Sequence, residues 1–320
     1  MPTPKRVPLI ARKSAFLRNE ALGKGASRSQ LRADRYDVPS RGLRINTEAE
    51  PDVREFFAAY SQLHGETYLS HTSAAVAWGM WLEQSREGVE PIHLTRRSGT
   101  AAAPRRRGVI GHRAPLTDAD VRNVYGMRLT SPAWTWTDLA ALGFSLQELV
   151  VAGDSLLQRA DGPNRVAGQL ERHPMSSITE LRGVLQRRKN LGGIRVAREA
   201  LGLLRERVDS RPESILRQII VSAGFPEPIV NLPVLLPDGS EIVPDLQYPV
   251  LRIAIQYEGR HHGELDQIGK DIKRDFAFEA HGWTTVKADR AILTDAGRAE
   301  FLQRLVRALE RQGGLGAGNA

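Results

Sequence analysis

Three side chains that carry oxygen ligands lie close together in the last third of the chain. Asp245 lies in an apolar run between Pro244 and Leu246, and Gln256 and Glu258 end the next apolar run. Side chains two positions apart on a strand point to the same face, so Gln256 and Glu258 share a face. A buried carboxylate is costly unless it is paired or bound to a metal. Oxygen ligands on adjacent strands suit a hard cation such as Mg²⁺, or Mn²⁺, which could polarise a phosphodiester and supply hydroxide.

The elements that would position these residues follow the order αβββαβα. Apolar periodicity and turn residues separate an amphipathic helix, three strands joined by tight turns, a long helix, a short strand and a closing helix. In chain order they are a helix at 212–220, strands at 229–236, 241–247 and 251–257, a helix at about 264–281, a strand at 283–287 and a helix at about 290–311. Asp245 would thus lie within the second strand, and Gln256 and Glu258 at the end of the third.

These residues and elements resemble the PD-(D/E)XK nuclease superfamily, in particular small endonuclease-like domains related to very-short-patch-repair enzymes. Pro244-Asp245 matches the opening pair of the motif, and Gln256-Tyr257-Glu258 occupies its (D/E)XK position. The resemblance implies a restriction-endonuclease-like fold and a metal-dependent endonuclease acting on DNA. Over about 207–311 the further matches are Glu213…Arg217, Glu258-Gly259-x-x-His262, Asp271…Arg274 and Gly282-Trp283.

The resemblance also implies roles for individual residues. Glu213 would be a supporting acid, and His262 would transfer a proton or contact a phosphate. Asp271 and Arg274 would order the site or contact a phosphate. Taken singly, Glu213, Asp271 and Arg274 would more readily belong to an ion-pair network that holds helices to the sheet, but together they favour the nuclease-like site. The metal ligands that the resemblance implies are Asp245, Gln256 and Glu258.

Two positions depart from the pattern of the superfamily. Gln256 stands where relatives usually have Glu or Asp, which removes a negative charge and should weaken metal binding, although an amide oxygen can still bind a hard cation. Glu258 stands in place of Lys, so the general-base or charge-stabilising role could move to His262 or Lys287. These departures keep open a second function, that of a non-catalytic DNA-binding regulator.

The surplus positive charge of the chain lies at its N-terminus. The net charge is +8 over 320 residues. Residues 1–45 hold eleven Lys or Arg against three acids, while the other 275 residues hold 34 of each. A basic segment can bind a polyanion, act as a solvated tail or belong to a small fold.

Local patterns favour a small fold for this basic segment. They predict a helix over about 14–23 and a second helix from Ser27, where Gln30 would complete a capping box. A turn at 38–42 and a strand at 43–45 follow, as in a winged helix-turn-helix. A basic tail without a ligand explains the composition equally well. The candidate DNA contacts are Arg28, Arg32, Arg35 and Arg41.

The middle of the chain has the pattern of a mixed α/β region. It holds a small-residue helix in SHTSAAVAWGM, strands at 92–95 and 109–112 around an arginine-rich loop, and a helix start at Thr130-Ser131-Pro132. With RLTSPAWTWTDLA and LVVAGDSLLQR, these segments resemble actinobacterial proteins of the AbiEi-type antitoxin architecture. In that family a winged helix precedes an α/β region, and the better-known members bind DNA as repressors. The polar residues predicted here to be hydrogen-bonded structural residues, since they lack metal spacing, are His64, His71, His112, Asp138 and Asp154.

Composition excludes several classes of site. The chain has no cysteine, which excludes disulfides, thiolate metal sites and cysteine nucleophiles. No apolar run approaches the length of a bilayer, and the first residues lack the apolar stretch of a secretory signal. We therefore expect a cytoplasmic protein without a membrane contact.

Together these observations predict a multidomain α/β protein. The leading function is a Mg²⁺- or Mn²⁺-dependent DNA endonuclease whose substrate is recruited by the basic module. RNA as the substrate, and a DNA-binding regulator with a degenerate nuclease fold, are the alternatives, and a cognate toxin or defence-system partner is a further expectation. The predicted parts are a winged-helix-like DNA-binding module at 1–46, an AbiEi-like α/β region at 47–175, a helical connector at 176–206, a nuclease-like domain at 207–312 and a disordered tail at 313–320.

Overall fold

The computed structural model describes residues 7–99, 101–158, 174–237, 239, 241–259 and 278–314. In these residues the chain is a mixed α/β protein with several sheets, and it divides into two compact units. The first unit comprises Met1–Leu156 and Arg165–Leu204, and the second comprises Leu157–Asn164 and Arg205–Ala320. The prediction of a multidomain α/β protein is confirmed at this level, and the finer domain boundaries stay predictions.

A small antiparallel sheet builds the N-terminal module of the first unit. Its strands are β1 Ala15–Leu17, β2 Tyr36–Asp37 and β3 Leu43–Asn46, which pair in the order β1-β3-β2. Helix α1, Arg18–Gly23, follows β1, and 3-10 helices at Leu9–Arg12 and Gln30–Arg32 precede β1 and β2. The buried rings of Phe16 and Tyr36 meet edge to face at 5.4 Å in the core of the module.

The local predictions for this module succeed in part. The helix over 14–23 is wrong in its first part, because Ala15–Leu17 pair with β3 and this pairing overrides local helix propensity. The capping box is present: the Ser27 N–H donates to Gln30 Oε1 at 2.8 Å, and the Gln30 N–H donates to Ser27 Oγ at 3.1 Å. The helix that it begins is only the short 3-10 helix, and the strand predicted at 43–45 is confirmed as β3.

A five-stranded mixed sheet forms the middle of the first unit. Its strands are β4 Thr67–Leu69, β5 Ile92–Arg97, β6 Val109–Ala114, β7 Val121–Val124 and β8 Met127–Thr130. They lie in the order β6-β5-β4-β8-β7, with β5 parallel to β6 and β4 parallel to β8. The strands predicted at 92–95 and 109–112 are therefore confirmed within β5 and β6.

Helices pack on this sheet and on one another. They are α2 Val53–Ser61, α3 His71–Trp78, α4 Pro132–Ala141, α5 Leu146–Leu156, α6 Ile178–Arg187 and α7 Ile194–Leu203. Helix α4 begins at the predicted point, where Ser131 Oγ accepts from the Trp134 N–H at 3.3 Å and Pro132 occupies the first turn. Trp134 and Trp136 are buried in the core.

A four-stranded mixed sheet is the centre of the second unit. The helices and strands of the unit are, in chain order, α8 Arg211–Ser222, β9 Ile229–Val230, β10 Val234–Leu235, β11 Glu241–Ile242, β12 Leu246–Tyr248, β13 Ile253–Tyr257, β14 Thr284–Ala288 and α9 Asp295–Arg311. The sheet order is β14-β13-β12-β9, in which only β13 and β14 are parallel, while β10 and β11 form a separate antiparallel pair. No helix in the described part of the chain is long and apolar enough to cross a membrane.

The position of Asp245 differs from the prediction. It lies in a bend before β12 rather than within a strand. The reason is that 243–245 connect β11 in the small pair to β12 in the main sheet, and Pro244 has no N–H to donate to a strand partner. The predictions for His262, Asp271 and Arg274, for most of the helix at 264–281 and for the tail beyond 314 lie outside the described residues.

A buried ion pair links the middle sheet to α6. Asp120, which precedes β7, is almost fully buried, and its two carboxylate oxygens accept from Arg187 at 2.9 and 2.6 Å. The N–H and hydroxyl of Thr117 donate to the same carboxylate at 2.9 and 2.6 Å. Burial alone would raise the pKa of Asp120, but the hydrogen bonds from Arg187 and Thr117 outweigh it and the pKa is lowered.

We predict that Asp120→Asn destabilises the first unit by roughly 2 kcal/mol, because it leaves Arg187 without a charged partner. Water already reaches Arg187, which keeps the loss below that of a fully buried ion pair. A carboxyl whose pKa is lower in the folded state contributes stability above its unfolded pKa and loses it as the pH falls. The difference between wild type and variant in urea unfolding should therefore shrink on acidification. Asp118→Asn is the matched control, because Asp118 is exposed and its pair with Arg97 is screened by water. Equal stability of the two variants at neutral pH would contradict the prediction.

Candidate functional site

Asp245 and Gln256 lie beside each other on one face of the main sheet of the second unit. Leu246 pairs with Ile255 in the antiparallel register, so the next pair outward is Asp245 and Gln256. The N–H of Tyr257 donates to Asp245 Oδ2 at 2.7 Å, which fixes the carboxylate against the end of β13. Gln256 is fully buried, and its Nε2 has no hydrogen-bond partner among the described residues. The first two residues of the predicted motif are therefore brought together.

Glu258 and Lys287 meet at the end of the parallel strand pair. Gln256 is level with Lys287 in the β13–β14 register, and Glu258 follows two residues later. Lys287 Nζ lies 2.6 Å from Glu258 Oε1, and each side chain is about half exposed. A lysine from β14 thus lies beside the acid that occupies the lysine position of the motif.

Glu213 connects α8 to the strand end that carries Asp245. It is buried and accepts hydrogen bonds from the Asp209 N–H at 3.0 Å, from Ser210 Oγ at 2.7 Å and from Asn231 Nδ2 at 2.7 Å. The N–H of Asn231 donates to the backbone carbonyl of Asp245 at 3.0 Å. Burial, and secondly the charge of Asp245, raise the pKa of Glu213 to about 7. Glu213 and Asp245 therefore form an acidic pair at the strand end where β12 begins.

The three described acids do not converge on a single point. Within the residues that the structure describes, Glu213, Asp245 and Glu258 do not form a group of three close carboxylates that could share one ion. His262, Asp271 and Arg274 lie outside these residues. The convergence of Asp245, Gln256 and Glu258 on one metal ion therefore stays a prediction.

A row of arginines beside Glu258 is absent from the sequence predictions. Arg304, Arg307 and Arg311 on α9 are exposed and line a cavity of about 560 Å³ together with Glu258 and Lys287. Arg304 Nη2 also donates to the backbone carbonyl of Lys287 at 3.1 Å. The signal in the sequence is the spacing of three, four and seven residues, which places side chains on one helix face. This cavity offers positive charge next to the candidate site.

The predicted DNA contacts of the N-terminal module differ in their exposure to solvent. Arg28, Arg32 and Arg41 are exposed. Arg35 is half-buried, with its guanidinium 5.1 Å from the centre of the Tyr36 ring and 3.8 Å from Glu48.

A second basic cavity lies beside the β2–β3 turn. It has a volume of about 640 Å³ and is lined in part by Arg18, Arg41 and Arg106. Arg106, from the arginine-rich loop, donates to His64 Nε2 at 2.7 Å and to the carbonyl of Arg41 at 2.6 Å. The loop is thus attached to the N-terminal module, and His64 is a hydrogen-bonded residue as predicted.

Comparisons with known proteins give distant relatives and no family. No family model matches the chain, and no solved structure matches it. Two uncharacterized proteins from two strains of Mycobacterium tuberculosis are each 26% identical to it over 198 residues. The match covers 60% of this chain and 66% of each relative, so the chain spans just under two thirds of the length of the relatives that it matches.

We predict that Glu213→Gln leaves the stability of the second unit within about 1 kcal/mol of wild type, whereas Glu213→Ala lowers it by about 2–3 kcal/mol. Glutamine keeps an acceptor for Asp209 and Asn231, and its amide N–H can donate to Ser210 Oγ as a protonated carboxyl would. Alanine leaves buried donors unpaired. Urea unfolding followed by circular dichroism measures both variants. Equal loss in the two would mean that the negative charge of Glu213, rather than its hydrogen bonds, holds the unit together.

Proposed function

We propose that the protein is a metal-dependent DNA endonuclease whose nuclease-like domain is the second unit. The carrying observation is the placement of Asp245 beside Gln256, with Glu258 and Lys287 at the end of the adjoining strand pair. The second unit begins with α8, continues into strands and closes with β14 and α9, which agrees with the two ends of the αβββαβα order that the resemblance to PD-(D/E)XK nucleases implies. No matching structure supports this resemblance, so the proposal rests on these residues and on the topology.

The oxygen atoms of Asp245, Gln256 and Glu258 would hold the ion. Two carboxylates and one amide carbonyl, without sulfur or nitrogen ligands, fit a hard cation such as Mg²⁺ or Mn²⁺. When bound, such an ion polarises the phosphodiester and lowers the pKa of the attacking water. With Gln rather than an acid at position 256, these three ligands carry one negative charge fewer. We therefore expect weak metal binding.

The other residues of the site have roles that follow from their contacts. The Tyr257 N–H orients the Asp245 carboxylate, and Asn231 fixes the backbone at Asp245. Lys287 would place a positive charge beside the phosphate. Negative charge develops on the phosphate during hydrolysis, and a fixed positive charge nearby stabilises it. The α9 arginines would hold the flanking phosphates, since contacts of this kind give affinity without sequence information.

The N-terminal module would recruit the DNA as a winged helix-turn-helix. Supporting this proposal are the element order of helix, strand, helix, helix, strand, strand and the pairing β1-β3-β2. Arg28 lies in the turn before the 3-10 helix Gln30–Arg32, and Arg32 ends that helix. Arg41 lies on the turn between β2 and β3, where a wing would contact the backbone of DNA, and all three side chains are exposed. A cytoplasmic location and a toxin or defence-system partner belong to the same proposal.

A non-catalytic DNA-binding regulator is the second candidate. Two observations favour it: an amide replaces an acid at Gln256, and the carboxylate of Glu258 is paired with Lys287. In this case the second unit keeps the nuclease-like fold without the chemistry.

We predict that the full chain cleaves plasmid and single-stranded DNA with Mg²⁺ or Mn²⁺, and that Asp245→Asn lowers the rate by roughly 100-fold or more. Gln256→Glu should raise metal affinity and rate, because it adds a ligand charge. Asp295→Asn, at a fully exposed position on α9, is the control for charge change in the same unit. Parallel assays on RNA compare the two substrates. Cleavage that persists in Asp245→Asn means a wrong site, and DNA binding without cleavage by either wild type or Gln256→Glu favours the regulator.

We predict that the pair Arg28→Ala and Arg32→Ala weakens DNA binding and reduces the slope of log K against log salt by about 2, since each phosphate contact contributes about one unit. The control is the pair Arg105→Ala and Arg107→Ala, which removes the same charge from an exposed loop of the same unit. Titration of labelled DNA followed by fluorescence anisotropy at several salt concentrations measures the slope. An equal loss in both pairs would make the effect one of net charge and defeat the specific assignment.

A further inference from the structure

Three histidines that are far apart in the sequence meet in the first unit. His71 begins α3 directly after β4, His93 lies on β5 and His112 lies on β6. One ring nitrogen of each lies within 4.8 Å of the others, and His93 Nδ1 is 2.9 Å from His112 Nε2. The rings of His71 and His112 stack with their centres 3.8 Å apart. The pairing of β4, β5 and β6 therefore holds three nitrogen ligands in one place.

Asp138 of α4 lies beside this cluster. Its side chain is 1% exposed, and Oδ1 lies 2.7 Å from Arg188 Nη1. The second oxygen, Oδ2, lies 3.6 Å from His71 Nδ1, and the backbone N–H of His71 also donates a hydrogen bond to the carboxylate. The carboxylate is therefore placed to position His71 from outside the cluster.

The backbone at His71 is placed in an uncommon conformation. Its φ is 51°, in the left-handed region that costs free energy for residues other than glycine. Such a conformation persists where the surrounding structure requires a side chain at that point. Here it directs the first residue of α3 toward β5 and β6.

We propose that His71, His93 and His112 form a binding site for a divalent transition-metal ion of the zinc type, with Asp138 as a positioning residue beside His71. Three imidazoles suit Zn²⁺ or Co²⁺, whereas Mg²⁺ prefers an all-oxygen shell. The site is independent of the proposed nuclease site, which lies in the other unit and uses oxygen ligands. His112 is only partly buried, which gives the ion a route from solvent.

Three histidine ligands leave one position of a tetrahedral zinc ion open to water, as in catalytic zinc sites. The ion would join α3, β5 and β6, which are separated by long stretches of sequence, and Arg188 would hold Asp138 through Oδ1. The sequence predicts that His71, His112 and Asp138 are hydrogen-bonded structural residues. That prediction describes them in the metal-free protein.

The test is metal binding by the full chain after treatment with a chelator. We expect one Zn²⁺ per chain in addition to any weak site, a higher unfolding temperature with Zn²⁺ than without it, and visible absorption bands of tetrahedral Co²⁺ when Co²⁺ replaces Zn²⁺. His112→Ala should lower the Zn²⁺ affinity by at least about 100-fold, more than the loss of a residue that only supports a ligand. His112 is the variant of choice because its partial exposure makes loss of the fold least severe.

Two controls separate this site from other sources of metal binding. His64→Ala removes a histidine of the same unit that contacts Arg106 and lies outside the cluster, and Asp245→Asn removes the proposed ligand of the other unit. Both should keep the Zn²⁺ affinity and the Co²⁺ spectrum. Circular dichroism of the metal-free His112→Ala protein checks that it folds, and His93→Ala is the second variant if it does not. Failure of wild type to bind Zn²⁺, or an affinity unchanged in both folded cluster variants, overturns the proposal.

Discussion

The pairing of β12 with β13 is the constraint on which the candidate chemistry depends. Side chains alternate between faces along each strand, so a shift of one residue in this register would move Asp245 and Gln256 to opposite faces. The register is held by Leu246 and Ile255, which face each other and are completely buried on the other side of the sheet. Apolar residues without chemistry of their own therefore decide which polar residues meet.

At the same strand ends the fold must compensate for acids that lie close to one another. Glu213 is given three hydrogen-bond donors and Asp245 a backbone N–H, which replaces the water that each loses. Asn231 serves both, through its side chain to Glu213 and its backbone to Asp245, and it does so with φ at 44°. Asparagine tolerates this left-handed conformation better than most residues. The raised pKa of Glu213 is the remaining cost, because the fold brings two carboxylates together without requiring both to be charged.

Sequence patterns predict what is local and fail where distant segments decide. The strand β13 and the capping of α4 are set within a few residues: β13 lies within the strand predicted at 251–257, and α4 begins at its predicted cap. Ala15–Leu17 is a strand rather than a helix because its partner, β3, is more than twenty residues away. The histidine cluster is the extreme case, since His71, His93 and His112 are joined only by strand pairing and His93 has no metal spacing to either of the others. The spacing of the α9 arginines predicts that they share one helix face. Their position beside Glu258 follows only from the packing of α9 against β14.

The chemistry of the candidate site depends on a competition for Glu258. Lys287 lies 2.6 Å from its carboxylate, and both groups are about half exposed, so this pair is hydrated and weak. A divalent ion carries twice the charge and can displace the lysine from a hydrated pair more readily than from a buried one. Displacement would also release Lys287 toward the cavity lined by Arg304, Arg307 and Arg311, where a phosphate would lie. The missing acid at Gln256 acts against the ion, because it removes part of the charge that would attract it. In the proposed nuclease, an arriving phosphodiester would supply negative charge of its own, so metal and DNA would bind with mutual support where neither binds strongly alone.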